Sequence, residues 1–459
     1  MIESTIAAIA TAPGEAGIGI VRISGEKSLY ILGRIFKPKR NIDIDKIPSR
    51  TVVYGHAIDS KGKILDEVLV IIMRKPYSYT TEDVVEVHCH GGIVPVRRIM
   101  EEVLKNGAEV AEPGEFTKRA FLNGRIDLAQ AEAVIDVITS KTETGLNAAL
   151  NQLEGELSKA IKAIMELLIS MLAHIEASID FPEHDVEDVT LGNIKGMLLD
   201  ARSKAASLIE SFDEGKIVRD GLRTAIIGRP NVGKSSLLNV LLKENRAIVT
   251  EVPGTTRDII EEYLNIGGVL IRLIDTAGIR ETEDIVERIG VERTKEAINS
   301  SDLVILVLDA SSPLLREDEE IIELVRDKRV IAVLNKVDLG TRADVDRIIA
   351  LFGQENVLSM SVKERLGIDK LEERIKALVF HGKLSISKNN MVTSIRHKNL
   401  LDRALENIDR ALASIEEDIP VDLISVDIRE AWSNLGSITG DTVEEDIMNE
   451  IFSKFCIGK

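Results

Sequence analysis

Gly228-Arg-Pro-Asn-Val-Gly-Lys-Ser235 directly follows the strand-like run Arg223–Ile227 and directly precedes a helical pattern. That context turns G-x-x-x-x-G-K-[ST] into a phosphate-binding P-loop. The glycines let successive backbone N–H groups curl around a phosphate, and the following helix aims its positive N-terminal end at it. Lys234 is then expected to reach the β- and γ-phosphates, and Ser235 to ligate Mg²⁺. Working outward, β-rich runs at 269–274, 303–308, 330–334 and 357–360 alternate with helical patterns up to about Phe380. Such alternation predicts a doubly wound parallel sheet with helices on both faces.

Two more motifs fall at strand ends of that sheet. Asp275-Thr276-Ala277-Gly278 closes the run 269–274; its aspartate can hold Mg²⁺ through water, and the Gly278 amide can sense a γ-phosphate. Asn335-Lys336-Val337-Asp338 closes the run 330–334, on the carboxyl edge where doubly wound sheets bind ligands. The Asp338 carboxylate can accept both the N1 and N2 hydrogens of guanine. Adenine lacks that donor pair and would leave the carboxylate unpaired. Ser361, Val362 and Lys363 are placed to supply backbone contacts to the base. Together with Asn231, Val232, Gly233 and Ser236 these residues predict a GTP site. Thr250 and the stretch Glu251-Val252-Pro253-Gly254-Thr255-Thr256 lie between P-loop and Asp275. A threonine here can close on Mg²⁺ only when the γ-phosphate is present, and the residues alone do not choose between Thr255 and Thr256. Ile279 stands where Ras-like enzymes carry a water-positioning glutamine. The water-orienting group must come from elsewhere, with Glu281, Glu283, Asp284 and Glu287 as candidates. No arginine finger is apparent, so another cation must offset transition-state charge.

The flanking sequence reads differently. Strand-like runs at 18–23, 51–58, 64–73 and 83–90 and a helix at 95–105 predict a compact α+β domain. From Thr117 the period changes. Leu146, Leu150, Leu153, Leu157, Ile161, Ile164, Leu168, Met171, Ile175 and Ile179 recur at helical spacing and predict one packed helical face. A second amphipathic stretch covers about 191–212, and helical spacing resumes at Leu401, Leu405, Ile408, Leu412 and Ile415. Helical segments flanking one α/β unit predict a discontinuous helical domain with the α/β domain inserted. The expected boundaries are 1–118, 119–212, 213–380 and 381–459.

Composition bounds the possibilities. Among 459 residues, 58 Lys plus Arg face 76 Asp plus Glu, a net charge of −18 that repels polyanions. Aromatics at 3% leave few stacking platforms for single strands. A nucleic-acid role therefore needs a local basic surface or a partner; the groups at Arg97-Arg98 and Lys37–Arg40 read as ordinary surface charge. The longest apolar runs, 68–73 and 303–308, are far short of the ~20 residues of a membrane-spanning helix. Glu3 near the start argues against a signal peptide, and two cysteines cannot build a disulfide framework. The expectation is a cytoplasmic protein without a membrane span. His88-Cys89-His90 is not read as a metal site, because alternation puts the cysteine on the other face of a strand.

Ala10–Gly25 (ATAPGEAGIGIVRISG), Ser78–Gly92 (SYTTEDVVEVHCHGG), Pro113–Val134 (PGEFTKRAFLNGRIDLAQAEAV), the GTPase motifs and Phe455-Cys-Ile-Gly-Lys459 resemble the tRNA-modification GTPase family MnmE, also called TrmE. The GTPase motifs alone fit many translational GTPases; the N-terminal blocks and the CIGK stretch make the resemblance specific. It implies a multidomain α/β and α fold. An N-terminal α+β domain would dimerise and bind 5-formyl- or 5,10-methylene-tetrahydrofolate, and a discontinuous helical domain would carry an inserted Ras-like GTPase domain. It implies a homodimer that works with the FAD-containing flavoprotein MnmG (GidA). The pair would add an aminomethyl or carboxymethylaminomethyl group to carbon 5 of the tRNA wobble uridine.

The resemblance further implies a potassium-dependent GTPase. Asn231, Thr250, the Val252 carbonyl and Thr255 would ligate K⁺, Thr256 would be the Mg²⁺ threonine, and Glu287 would position the water, alongside Lys234 and Gly278 in catalysis. It places folate at Arg22, Glu82, Arg125 and Lys459. There Glu82 is expected to meet the pterin's amidine-like edge, and the basic groups its carboxylates or carbonyl. Thr81 stands where many relatives have glycine, and Arg125 where lysine is common. Cys456 is left with two readings, a thiol role or a buried structural thiol. The rival expectation is a regulatory GTPase switch that binds RNA or ribosomes and does no modification chemistry.

Overall fold

The computed structural model describes residues 4–40, 42–180, 187–245, 262–274, 287–379, 391–417 and 419–459, with backbone only at 178–180, 187–191, 244–245 and 287–293. The chain divides into two compact units, Met1–Ile135 with Ser433–Lys459, and Asp136–Trp432.

In the first unit β1 (Ile6–Ile9), β2 (Ala16–Ser24), β3 (Phe36–Pro38), β4 (Thr51–Ile58), β5 (Ile64–Met73), β6 (Val84–Gly91) and β7 (Glu109–Val110) form one sheet in the order β3-β4-β5-β6-β2-β1-β7. All pairings are antiparallel except β1 with β7. Period-two alternation decides what each face does. Val21 and Ile23 of β2, Val85, Val87 and Cys89 of β6, and Val70 and Ile72 of β5 point into a core shared with Ile31, Leu32, Ile99 and Val103 of the helices Ser28–Ile35 and Ile93–Lys105. Arg22, Ser24, Glu86 and His88 consequently face the other way.

On that second side Ile6 and Ala8 pack with Phe116 of the helix Glu115–Leu122. Phe452 and Phe455, in and just after the helix Glu445–Ser453, join Leu128 and Phe121 in a further apolar cluster. The stretch after Ser453 returns to β1. Gly458 has φ +95°, and a Cβ there would lie 2.6 Å from the Ile9 carbonyl oxygen, so only glycine lets the tail pass this close.

In the second unit the helices Glu143–Leu153, Glu156–Asp180, Glu187–Glu210 and Ile395–Glu416 bury Leu157, Ile161, Ile164, Leu168, Met171, Ile175, Leu198, Ala205, Leu401 and Ile408. The single apolar face read from Leu146 to Ile179 is in fact broken. Gly155 adopts φ +85° and ends one helix before the next begins, and Leu150 is left exposed. Six strands of this unit are seen among the described residues: β8 (Leu222–Ile227), β9 (Glu262–Ile266), β10 (Val269–Leu273), β11 (Leu303–Asp309), β12 (Val330–Asn335) and β13 (Val357–Ser359). Their order is β13-β12-β11-β8-β10-β9, parallel throughout except β9 with β10. Ile226, Ile305 and Val333 pack under Leu237, Leu241 and Leu371 on one face; Ile227, Leu306 and Leu334 pack under Ile298, Ile322 and Ile348 on the other. Both faces are covered, as the alternating sequence predicts.

Candidate functional site

The carboxyl ends of β8, β11 and β12 lie side by side, with Leu306 opposite Ile227 and Asp309 opposite Asn335. The P-loop leaves β8 there and enters the helix Lys234–Asn245. Asn231 holds φ +63° and is exposed, and Gly233 has φ +106°. A Cβ on Gly233 would stand 2.3 Å from the Asn335 Nδ2, so the second P-loop glycine is required by the neighbouring motif and not only by a ligand. The buried Asn335 donates from Nδ2 to the Val232 carbonyl at 2.8 Å and accepts on Oδ1 from the Val362 N–H at 3.1 Å. Its amide therefore clamps the P-loop to the segment Ser361–Lys363. Ser361 Oγ donates to Asp338 Oδ1 at 2.6 Å and sets the rotamer of that carboxylate.

Lys234 Nζ donates to the Gly228 and Arg229 carbonyls at 2.6 and 2.8 Å, which keeps the ammonium at the mouth of the loop. Burial holds its pKa below the ordinary lysine value. Lys336, at φ +66°, spans to Asp309 with a 2.7 Å bond. Burial pushes the Asp309 carboxyl up, but hydrogen bonds from Lys336 and Ser311 outweigh it and hold the group below the usual range. Ser235 and Ser236 are exposed in the first turn of the helix, and the Lys363 ammonium is exposed as well. Thr250, Glu251, Val252, Pro253, Gly254, Thr255, Thr256, Asp275, Thr276, Ala277 and Gly278 lie outside the described residues, as do Glu281, Glu283 and Asp284. Glu287 opens the helix Glu287–Ser300, its side chain outside the description.

One participant escaped the sequence reading. Arg229, an unspecified position of the P-loop pattern, donates to Asp318 Oδ2 at 3.2 Å and to Ser312 Oγ at 2.9 Å, tying the loop to the start of the helix Arg316–Val325. No acidic residue lies near Arg229 in the sequence, so nothing local signalled the pairing.

The first unit assembles a second constellation on the polar side of β2. Arg22 donates from Nε to Glu86 Oε1 at 2.8 Å, directly across the strand pair, and from Nη1 to the Gly458 carbonyl at 3.0 Å. Its guanidinium lies 5.6 Å from the Phe116 ring centroid and 6.0 Å from that of Tyr79. Arg125 caps the same Tyr79 ring at 4.7 Å and donates to its carbonyl at 2.9 Å. Lys459 is half-buried; burial first, then the Arg22 charge, hold its ammonium below the ordinary value. Glu82 accepts from Ser24 Oγ at 2.6 Å, and Ser24 sits two residues from Arg22 on the same strand face. The four residues assigned by resemblance thus come to one side of one sheet. Thr81, next to Glu82, has φ +63°, a left-handed conformation natural for glycine and strained for a β-branched residue.

Cys89 is buried and Cys456 exposed, so Cys456 is not the buried structural thiol of one reading. Burial pushes the Cys89 thiol up to about 11. Since only the thiolate alkylates, the folded chain at about pH 8 is expected to consume one rapid equivalent of maleimide, at Cys456. Cys89 should react only on unfolding or as the pH approaches its raised value. Two rapid equivalents, mapped by mass spectrometry, would contradict this. His90 pairs with Asp66 at 2.7 Å and His88 lies 3.3 Å from Glu86. Among the described residues no group of three or more His, Cys, Asp and Glu is placed to hold a metal ion, and no helix is long and apolar enough to cross a membrane.

A P-loop, an Asn-Lys-x-Asp carboxylate fixed by Ser361, and their common edge of a doubly wound sheet define a P-loop GTPase. The sequence model described as the MnmE helical domain matches residues 128–456, and that of the GTP-binding protein TrmE N-terminus matches residues 5–125. The tRNA modification GTPase MnmE of Alkaliphilus metalliredigens is 54% identical over 100% of both chains. That of Acetivibrio thermocellus is 51% identical over 100% of this chain and 99% of its own. The chain belongs to the MnmE (TrmE) family of tRNA modification GTPases.

Proposed function

We propose that this chain is the GTP-hydrolysing component of a tRNA wobble-uridine modifying complex. With the flavoprotein MnmG (GidA), it would add an aminomethyl or carboxymethylaminomethyl group to carbon 5, in the cytoplasm, using a tetrahydrofolate donor. The observation that supports this reading is the presence, in one chain of this family, of both the Asn335–Asp338 edge beside the P-loop and the Arg22–Glu82–Arg125–Lys459 constellation. A regulatory switch has no use for the second. Its chemistry fits a folate: a carboxylate for a donor edge, aromatic rings beside cations, and basic groups for carboxylates. Arg22, Glu82, Arg125 and Lys459 would hold the ligand, which supplies the one-carbon unit. In the GTPase, Ser235 with Thr256 would hold Mg²⁺. Asn231, Thr250, Val252 and Thr255 would hold K⁺, whose charge stands in for an arginine finger, and Glu287 would orient water.

The net charge of −18 fits tRNA phosphates being met mainly through a partner. A homodimer fits the exposed apolar Val52, Tyr54 and Leu69 on β4 and β5. Calorimetric titration of the full chain with 5-formyltetrahydrofolate tests the reading. Saturable one-to-one binding is expected, and its absence, with normal wobble modification in cells lacking the protein, would favour the switch. Turnover of GTP is expected to fall about tenfold or more when Na⁺ replaces K⁺. Equal rates would remove the cation assignment.

A further inference from the structure

We infer that Arg119, with Ser24, is the positioning device that aims Glu82 at the two-donor edge of an aminopyrimidinone ligand; this rests on the folate reading above. Arg119 is fully buried, yet every nitrogen of its guanidinium has a partner. Nε and Nη2 donate to Glu115 Oε1 at 3.2 and 2.7 Å, Nη2 also to Ser4 Oγ at 3.0 Å, and Nη1 to the Ser4 carbonyl at 2.8 Å. The remaining reach of Nη1 spans both oxygens of Glu82, at 3.2 and 3.3 Å. A rigid planar fork held on its other edge by Glu115 and Ser4 cannot turn away, so it fixes where the Glu82 carboxylate lies.

Ser24 completes the setting. Its hydroxyl donates to Glu82 Oε2 at 2.6 Å and is itself fixed beside Thr80 Oγ1 at 2.7 Å. The backbone N–H of Glu82 also reaches Thr80 Oγ1, at 3.3 Å. A carboxylate has about four lone-pair positions. One shared N–H and one hydroxyl leave acceptor capacity for two more donors, and the Glu82 side chain keeps 18% of its surface exposed through which to meet them. The charge arithmetic agrees: one guanidinium faces two carboxylates, so the cluster keeps an excess negative charge at its open end. An N–H and NH₂ pair on one ring edge is what such a carboxylate accepts.

A buried arginine that served only folding would move affinity for all ligands of the pocket alike; a positioning arginine controls discrimination at one edge. The test compares 5-formyltetrahydrofolate with its 2-desamino-2-methyl analogue by calorimetry on the full chain. The wild-type chain is expected to prefer the parent about 30- to 100-fold, the worth of one charge-assisted donor together with the acceptor otherwise left unpaired. Arg119→Lys and, should that variant not fold, Ser24→Ala are expected to shrink the ratio to about fivefold or less. If both ligands weaken equally and the ratio survives in a folded Ser24→Ala chain, the proposal is overturned while the folate reading stands. If the wild-type chain binds neither ligand, the folate reading itself is overturned and this inference with it.

Discussion

Asp338→Asn is expected to lower affinity for GTP by about a thousandfold and to make xanthosine triphosphate the preferred nucleotide. In the proposed site the carboxylate would offer two acceptors to the N1–H and N2–H₂ of guanine. Asparagine keeps one acceptor and substitutes a donor for the other, so two donors confront each other. A lost charge-assisted hydrogen bond costs about 1.5–3 kcal/mol, and a donor left unpaired about 1–3 kcal/mol more. At about 1.4 kcal/mol per decade, their sum spans roughly two to four decades. Xanthine carries a carbonyl at C2, which restores a donor–acceptor match. The fold should tolerate the change, because the asparagine oxygen can still accept the Ser361 hydroxyl that now bonds Asp338 at 2.6 Å. Binding of fluorescent GTP and xanthosine triphosphate to wild-type and variant chains checks this. Unchanged preference for GTP would show that the base is read elsewhere.

On the proposed folate reading, Glu82→Ala is expected to lower affinity for 5-formyltetrahydrofolate about a hundredfold and also to destabilise the first unit. Binding falls because the substitution removes the acceptor pair, worth about 1.5–3 kcal/mol to charged or paired donors. Stability falls because Arg119, with no exposed surface, keeps only Glu115 and the Ser4 groups as partners. Breaking one side of a buried ion pair costs about 3–5 kcal/mol, and Glu82's partial exposure together with the surviving Glu115 pair puts the loss nearer 2 kcal/mol. Glu82→Gln separates the two effects, since its amide oxygen can still meet Nη1 while its NH₂ opposes the ligand's donors. The expected result is near-normal melting with weakened folate binding for Gln, and both defects for Ala. A Glu82→Ala chain that binds folate normally would end the assignment.

The residues were unequally informative, for physical reasons. β4 and β5 were readable to the residue because both are runs rich in β-branched and apolar residues, and a turn rich in polar residues separates them. β1, β3 and β7 escaped because runs such as Ile6-Ala-Ala-Ile9 are too short or too uniform to show a period. β9 escaped because it follows a motif-rich segment and pairs as an antiparallel edge on an otherwise parallel sheet. The stripe from Leu146 to Ile179 misled because helical spacing survives a left-handed glycine: Gly155 shifts the phase but leaves the count of apolar residues intact.

The chain's own order of residues determined the P-loop, the Asn335-Lys-Val-Asp338 motif and the doubly wound sheet, since phosphate-cradling backbone and strand–helix alternation are local properties. It also pointed, through resemblance, to Arg22, Glu82, Arg125 and Lys459. Only the tertiary structure decided that Asn335 clamps the P-loop to Val362, that Arg229 ties the loop to Asp318, and that Arg22 binds the carbonyl of Gly458. It alone singled out Arg119, which in sequence is one more cation on an amphipathic helix. A buried ion pair between residues 37 positions apart, and a hydrogen bond between residues 436 apart, leave no periodic trace. They exist because folding removes those charges from water and makes each find its partner.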